Sequence, residues 1–80
     1  MIDQITGQRI VVMIHEEYGP FIRVMSYQDA GHLEDRFDDD LHVTYWKMRD
    51  KELALRGGNE YYFGTVADPV KLRTILDSIS

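Results

Sequence analysis

Eighty residues with a net charge of −5, 44% hydrophobic and 29% charged side chains and no cysteine leave room for one domain and exclude a disulfide framework or a thiolate zinc site. A chain this short buries only a little over ~60% of its unfolded surface, which argues against the deep cleft that most enzymes need. The acidic balance disfavours non-specific attraction to nucleic-acid phosphates or anionic lipid and mildly favours a basic partner.

No basic segment leads into an apolar run at the start, and the longest apolar stretch, residues 10–14, is far too short to span a bilayer. The expectation is a cytoplasmic protein without membrane contact, folded as a single α+β domain over residues 1–80.

Residues 1–8 show no sustained period and read as a lead-in that frays or adds a turn. Residues 9–15, RIVVMIH, are dense in β-branched side chains and predict a first strand. Glu16-Glu17-Tyr18-Gly19-Pro20 predicts a turn, and residues 21–25 the returning strand of a hairpin. Ser26 is placed to cap a helix through the amide of Gln28 or Asp29, with Asp29 answering reciprocally. Ala30, Leu33 and Phe37 recur at helical spacing, Gly31 weakens the span, and the helix is expected to stop near Phe37 or Asp38.

Residues 42–48 predict a third strand and residues 52–56 a fourth, joined through Gly57-Gly58-Asn59 to a fifth over residues 60–66. Residues 50–56 also have the form of a short capped helix with Gly57 beyond its end; the strand is favoured because it completes a hairpin. Asp68-Pro69 opens a terminal helix whose apolar stripe is Leu72, Ile75, Leu76 and Ile79. The fold class is therefore α+β: a single small, mostly antiparallel sheet in the order ββαβββα, with two helices packed on one face.

Side-chain parity then divides the sheet. Ile10, Val12, Ile14, Ile22, Val24, Val43, Tyr45, Leu53, Leu55, Tyr61 and Phe63 form the expected core face. Met13, His15, Phe21, Arg23, Trp46, Met48, Arg56 and Tyr62 fall on the other side, which two short helices cannot also cover. Large amphipathic side chains with Arg are the makeup of an interface core, so these eight residues are the candidate partner-binding set. A homodimer is the first occupant considered and a foreign partner the second. A second candidate is the acidic run of Glu34, Asp35, Asp38 and Asp39, which offers a negative surface to a basic protein, although charge runs mainly keep a surface solvated.

Other chemistry finds little support. The best metal-ligand pair, Asp40 with His42, lacks a third ligand, and the Asp38–Asp40 run lacks the alternation of a calcium loop. No nucleophile elbow or phosphate loop is present, and no catalytic residue, metal or cofactor is assigned. Aromatics beside Arg23 and Arg56 could serve single-stranded nucleic acid, but the net charge opposes it. The reading is a non-enzymatic, self-associating interaction module. Its rival is a small hydrolase or ligand-binding protein in which His15 or His42 converges with a carboxylate in a pocket.

Overall fold

A computed structural model describes residues 1–79, with Asp40 as backbone alone; the proposed Asp40–His42 pairing thus lies outside the described residues. The strands are β1 (Val12–His15), β2 (Gly19–Ser26), β3 (Trp46–Met48) and β4 (Gly57–Tyr62). They form one four-stranded antiparallel sheet in the order β1-β2-β4-β3. Because β2 and β3 both run antiparallel to β4, they are parallel to each other. Helix α1 (Tyr27–Asp35) makes the crossover between them, as a parallel pair requires. The α+β class is as expected.

Helix α1 begins where its cap predicts, with Ser26 Oγ accepting from the Asp29 amide at 3.1 Å. The Asp29 carboxylate does not return the bond to the cap; it accepts instead from the Gln4 amide at 2.9 Å. This ties the first residues of the chain to the helix. The lead-in is accordingly built into the fold, with Met1 packed in the core, Ile2 bridged to Arg9, and Asp3 Oδ1 taking the amides of Ile5 and Thr6. Beyond Asp35 the helix does not stop at Phe37 or Asp38 but widens into a π-turn over Arg36–Leu41. His42 ends it in the left-handed region at φ 52°. That extension uses residues 36–41 and shortens β3 to Trp46–Met48.

The clearest departure from expectation is residues 51–56, which form helix α2 (Lys51–Arg56), not a strand. Its caps decide the matter. Asp50 Oδ1 accepts from the Leu53 amide at 2.9 Å, and Gly57 closes the last turn at φ 78° by donating to Leu53 O, as a left-handed glycine after a helix does. Leu53 and Leu55, which alternate as on a strand, point apart on the helix. Leu53 is buried, while Leu55 is 89% exposed. Gly57-Gly58-Asn59 is consequently no hairpin turn but the opening of β4. A Cβ on Gly58 would sit 2.2 Å from Val24 O, so only glycine lets β4 approach β2 there.

The helix α3 (Pro69–Ser78) starts at Asp68, whose carboxylate accepts from the Val70 amide at 2.9 Å. Helices α1 and α3 share one face of the sheet. Ala30, Leu33, Leu76 and Ile79 pack there with Ile22, Val24, Tyr61 and Phe37. The predicted core face holds on the strands except at Ile14, which is 64% exposed near the turn end of β1; Leu53 and Leu55 leave it for α2, where Leu53 is buried outside this core cluster. Tyr61 anchors this side through its hydroxyl, which donates to Glu34 Oε2 at 2.5 Å and accepts from Asn59 Nδ2 at 3.3 Å. Tyr45 Oη donates to Asp38 Oδ2 at 3.2 Å.

Two tests follow from this packing. Gly58→Ala should lower stability by about 1–3 kcal/mol through overpacking against β2. Gly31→Ala should raise it by about 0.5–1 kcal/mol, because Gly31 lies inside α1 and a Cβ there meets nothing within 4 Å; urea unfolding measures both. Burial first and nearby carboxylates second hold the Tyr61 phenol above its ordinary value and push Tyr45 up to about 12. The stability they lend is complete below the ordinary phenol value of about 10 and is lost as pH rises from there through about 12. Urea midpoints measured across that window should fall, and Tyr45→Phe should flatten the fall.

Candidate functional site

On the side of the sheet opposite Ile22, Val24 and Tyr61, neighbouring strands place Met13 beside Phe21, Phe21 beside Tyr62, and Tyr62 beside Trp46. One row of side chains therefore crosses all four strands. Tyr62 stacks on Phe21, with centroids 5.0 Å apart and planes at 18°, and on Trp46 at 5.6 Å and 19°. His15 stacks on Tyr18 at 4.7 Å, and both meet Tyr62 edge-on. Such ring pairs add about 0.5–1.5 kcal/mol each beyond the area they bury. The row is thus a stiff platform rather than a set of independent side chains.

Tyr62 is its floor, only 2% exposed under Phe21, Trp46, His15 and Tyr18, whereas Trp46 at 43% is its open end. His15 Nδ1 accepts from the amides of Glu17 and Tyr18 at 3.0 and 3.2 Å. The imidazole therefore carries its proton on Nε2 and shapes the turn between β1 and β2.

The next row is electrostatic. Arg23 lies opposite Glu60, and Glu60 opposite Met48. The Arg23 guanidinium reaches Glu60 at 2.9 Å, Asp50 at 3.2 Å and Glu52 at 3.9 Å. Since Asp50 caps α2 and Glu52 lies in its first turn, these bonds bring α2 against the Arg23 end of the open face. Burial pulls the Arg23 guanidinium down, but its bonds to Glu60 and Asp50 outweigh that and leave it above its ordinary value. The Leu53 amide, and after it Arg23, hold the Asp50 carboxyl below its usual range. Burial and then Glu60 push the Tyr62 phenol up, and its hydroxyl donates to Glu60 Oε1 at 3.2 Å.

Seven of the eight predicted partner-binding residues thus share one side of the sheet. Arg56 comes from α2 instead of a strand and joins the group only through Glu52, 3.9 Å away. Sequence parity missed Tyr18, Asp50 and Glu60. Tyr18 lies in a turn, where parity says nothing. Asp50 belongs to the cap of a helix read as a strand, and Glu60 shares the parity of Tyr62 but is a carboxylate, which a search for large amphipathic side chains passes over. The N-terminal segment does not cover the rings. Thr6, Gln8 and Arg9 instead border a hollow of about 170 Å³ beside Met13, Arg23 and Met25.

The acidic run is divided by the fold. Glu34 is held by Tyr61 and Lys47, and Asp38 by Tyr45, while Asp35 and Asp39 are exposed. A second hollow, about 290 Å³, opens between α1 and the β3–β4 edge. Neither hollow is lined by a histidine, and His42 is exposed at the end of the π-turn. Among the described residues no group of three or more His, Cys, Asp or Glu is placed to hold a metal, and no helix is long and apolar enough to cross a membrane.

Replacing the floor and replacing the rim should differ in cost. Tyr62→Ala should destabilise by about 3–5 kcal/mol, as large buried rings do, and Trp46→Ala by less than about half that, both read from urea unfolding. Arg23→Gln should lower the midpoint at pH 7. The difference from the unaltered chain should shrink in acid, because the depressed Asp50 carboxyl lends stability only above its folded-state value. No protein-family model, no curated protein and no solved structure matches the chain.

Proposed function

We propose that this chain is a non-enzymatic interaction module that captures a basic, Arg- or Lys-bearing segment of a partner protein on its open aromatic face. The carrying observation is the continuous Trp46–Tyr62–Phe21 stack on a side that α1 and α3 leave open. Pre-stacked rings offer area at little further entropic cost, and an indole or phenol face attracts a guanidinium or ammonium.

Charge selects the occupant. Asp50, Glu52 and Glu60 lie around Arg23 at one end of the face, and Glu16 and Glu17 stand in the turn that holds Tyr18 at the other. Two guanidiniums, Arg23 and Arg56, answer these five carboxylates, and Lys51 on α2 pairs with none of them. A cationic segment gains from that surplus, whereas nucleic acid does not. Among the described residues the only Arg or Lys on the strands of this face is Arg23, already surrounded by acids, and phosphate binding draws its affinity from unneutralised cations.

Self-association uses the same surface, but it sets two acidic frames in one interface, where unpaired like charges oppose docking. A reducing, cytoplasmic setting is the compartment we infer, because a cysteine-free chain gains nothing from an oxidising one.

Trp46 is the sole tryptophan, so its fluorescence reports directly on the face. Oligoarginine should change Trp46 emission saturably and lose affinity as salt is added, while oligoglutamate and single-stranded oligothymidine should not. Emission that responds to oligothymidine alone would replace this reading with a nucleic-acid one. Emission that instead follows protein concentration, in step with a doubling of solution mass, would make a second copy the occupant. If Met13→Ser and Arg23→Gln, both still folded, leave oligoarginine binding unchanged, the face is not the site.

A further inference from the structure

The hollow of about 290 Å³ lies on the other side of the sheet from the ring row, and its lining includes Tyr27, Gly31, Glu34, Lys47, Arg49 and Asn59. Its charge runs against the chain as a whole. Lys47 and Arg49 face a single carboxylate, and Glu34 already has Oε1 on Lys47 at 3.3 Å and Oε2 on Tyr61. A local excess of one positive charge thus sits in a molecule of −5.

The guanidinium is also held in place from behind. Arg49 Nε donates to Gly58 O at 2.9 Å and to Asn59 Oδ1 at 3.1 Å. Asn59 is itself buried and fixed by its bond to the Tyr61 hydroxyl. Among the described residues, the two terminal nitrogens of Arg49 have no hydrogen-bond partner. A rigid guanidinium with its fork unused is matched to the two oxygens of a carboxylate or phosphate.

Gly31 supplies an independent sign. Five of the six glycines are required by the fold: Gly7, Gly19, Gly57 and Gly64 have left-handed φ, and a Cβ on Gly58 would strike Val24 O. Gly31 alone sits in a helix with open space where its Cβ would be. An alanine would fit and would strengthen the helix. What glycine provides at that position is room, and the room belongs to this hollow.

We propose that the hollow between α1 and the β3–β4 edge binds a small organic oxyanion. Its carboxylate or phosphate is forked by Arg49 and flanked by Lys47, and its body lies over Gly31 against the exposed ring of Tyr27. The volume stands at the small end of ligand sites, which begin at roughly 300 Å³. The ligand is therefore a compact metabolite-sized anion and not a peptide. This site is separate from the aromatic face, and neither proposal depends on the other.

Titration of the full chain with acetate, benzoate and inorganic phosphate, at an ionic strength held constant with chloride, tests it by nitrogen–proton NMR. The expected result is saturable shifts concentrated at the Arg49 Nε–H and at the amides of Gly31, Gly57 and Asn59. Benzoate binding more tightly than phosphate identifies a carboxylate ligand with a flat body; the reverse order identifies a phosphorylated one. Gly31→Leu should weaken binding at least about tenfold while the melting temperature stays level or rises, and Arg49→Gln should weaken it at least as much. The proposal is overturned if none of the three anions gives saturable shifts there, or if the shifts spread evenly over all cationic side chains. Unchanged binding by folded Gly31→Leu overturns it as well.

Discussion

The pairing of β2 with β4 is the contact on which the rest of the molecule depends. At Gly58 a Cβ would meet Val24 O at 2.2 Å and the Met25 backbone at 2.8 Å, so the two strands are closer there than any other residue type permits. With β4 seated against β2, β3 pairs with the outer edge of β4. The connection from β2 to β3 must then cross over the sheet. That crossover is α1, and its passage puts Ala30, Leu33 and Phe37 onto Ile22, Val24 and Tyr61 to make the core.

The same strand divides the two surfaces proposed to bind. Successive residues of β4 point to opposite sides. Asn59 and Tyr61 serve the core side and the hollow above it, while Glu60 and Tyr62 serve the ring row and Arg23. Tyr61 and Tyr62 are adjacent tyrosines, both buried and both bonded through the hydroxyl to a glutamate, yet they belong to different sites. Their phenols are raised for the same reason, burial first and a neighbouring carboxylate after it.

What the sequence conveyed, and what it concealed, follows from where each signal is local. The cap at Ser26, the Asp68-Pro69 start of α3 and the β-branched run before His15 are decided by neighbours a few residues away, and all three were legible. The assignment of residues 51–56 was not, because Leu53 and Leu55 keep a strand period while Lys51, Glu52, Leu53, Ala54 and Arg56 are helix formers by propensity. Gly57 and Gly58 suit a hairpin as readily as a helix end followed by a tight strand approach. The close approach of Gly58 to Val24, more than thirty residues away in sequence, is a constraint that no local pattern displays. The ring row does not depend on that assignment, because Met13, Phe21, Trp46 and Tyr62 each fall within a strand expected there, although β3 is confined to Trp46–Met48 and β4 to Gly57–Tyr62. Arg56 does depend on it, and the acids of α2 that give the face its charge were hidden by it.

A site built on a central strand is hard to alter without altering the fold, and this separates residues that hold the two surfaces from residues that meet a ligand. Tyr62, Asn59 and Glu60 have their polar atoms bonded inside the protein, so little of them remains for an outside molecule. Trp46 on the short edge strand, Tyr18 in a turn, and Arg49 with Gly31 at the rim of the hollow have groups or space that the fold does not use. Stability resides at the middle of the sheet, and the two proposed binding surfaces lie at its margins. Under that division a glycine with no structural need is as informative as an exposed tryptophan, since each marks a place where the sequence departs from what folding alone would choose.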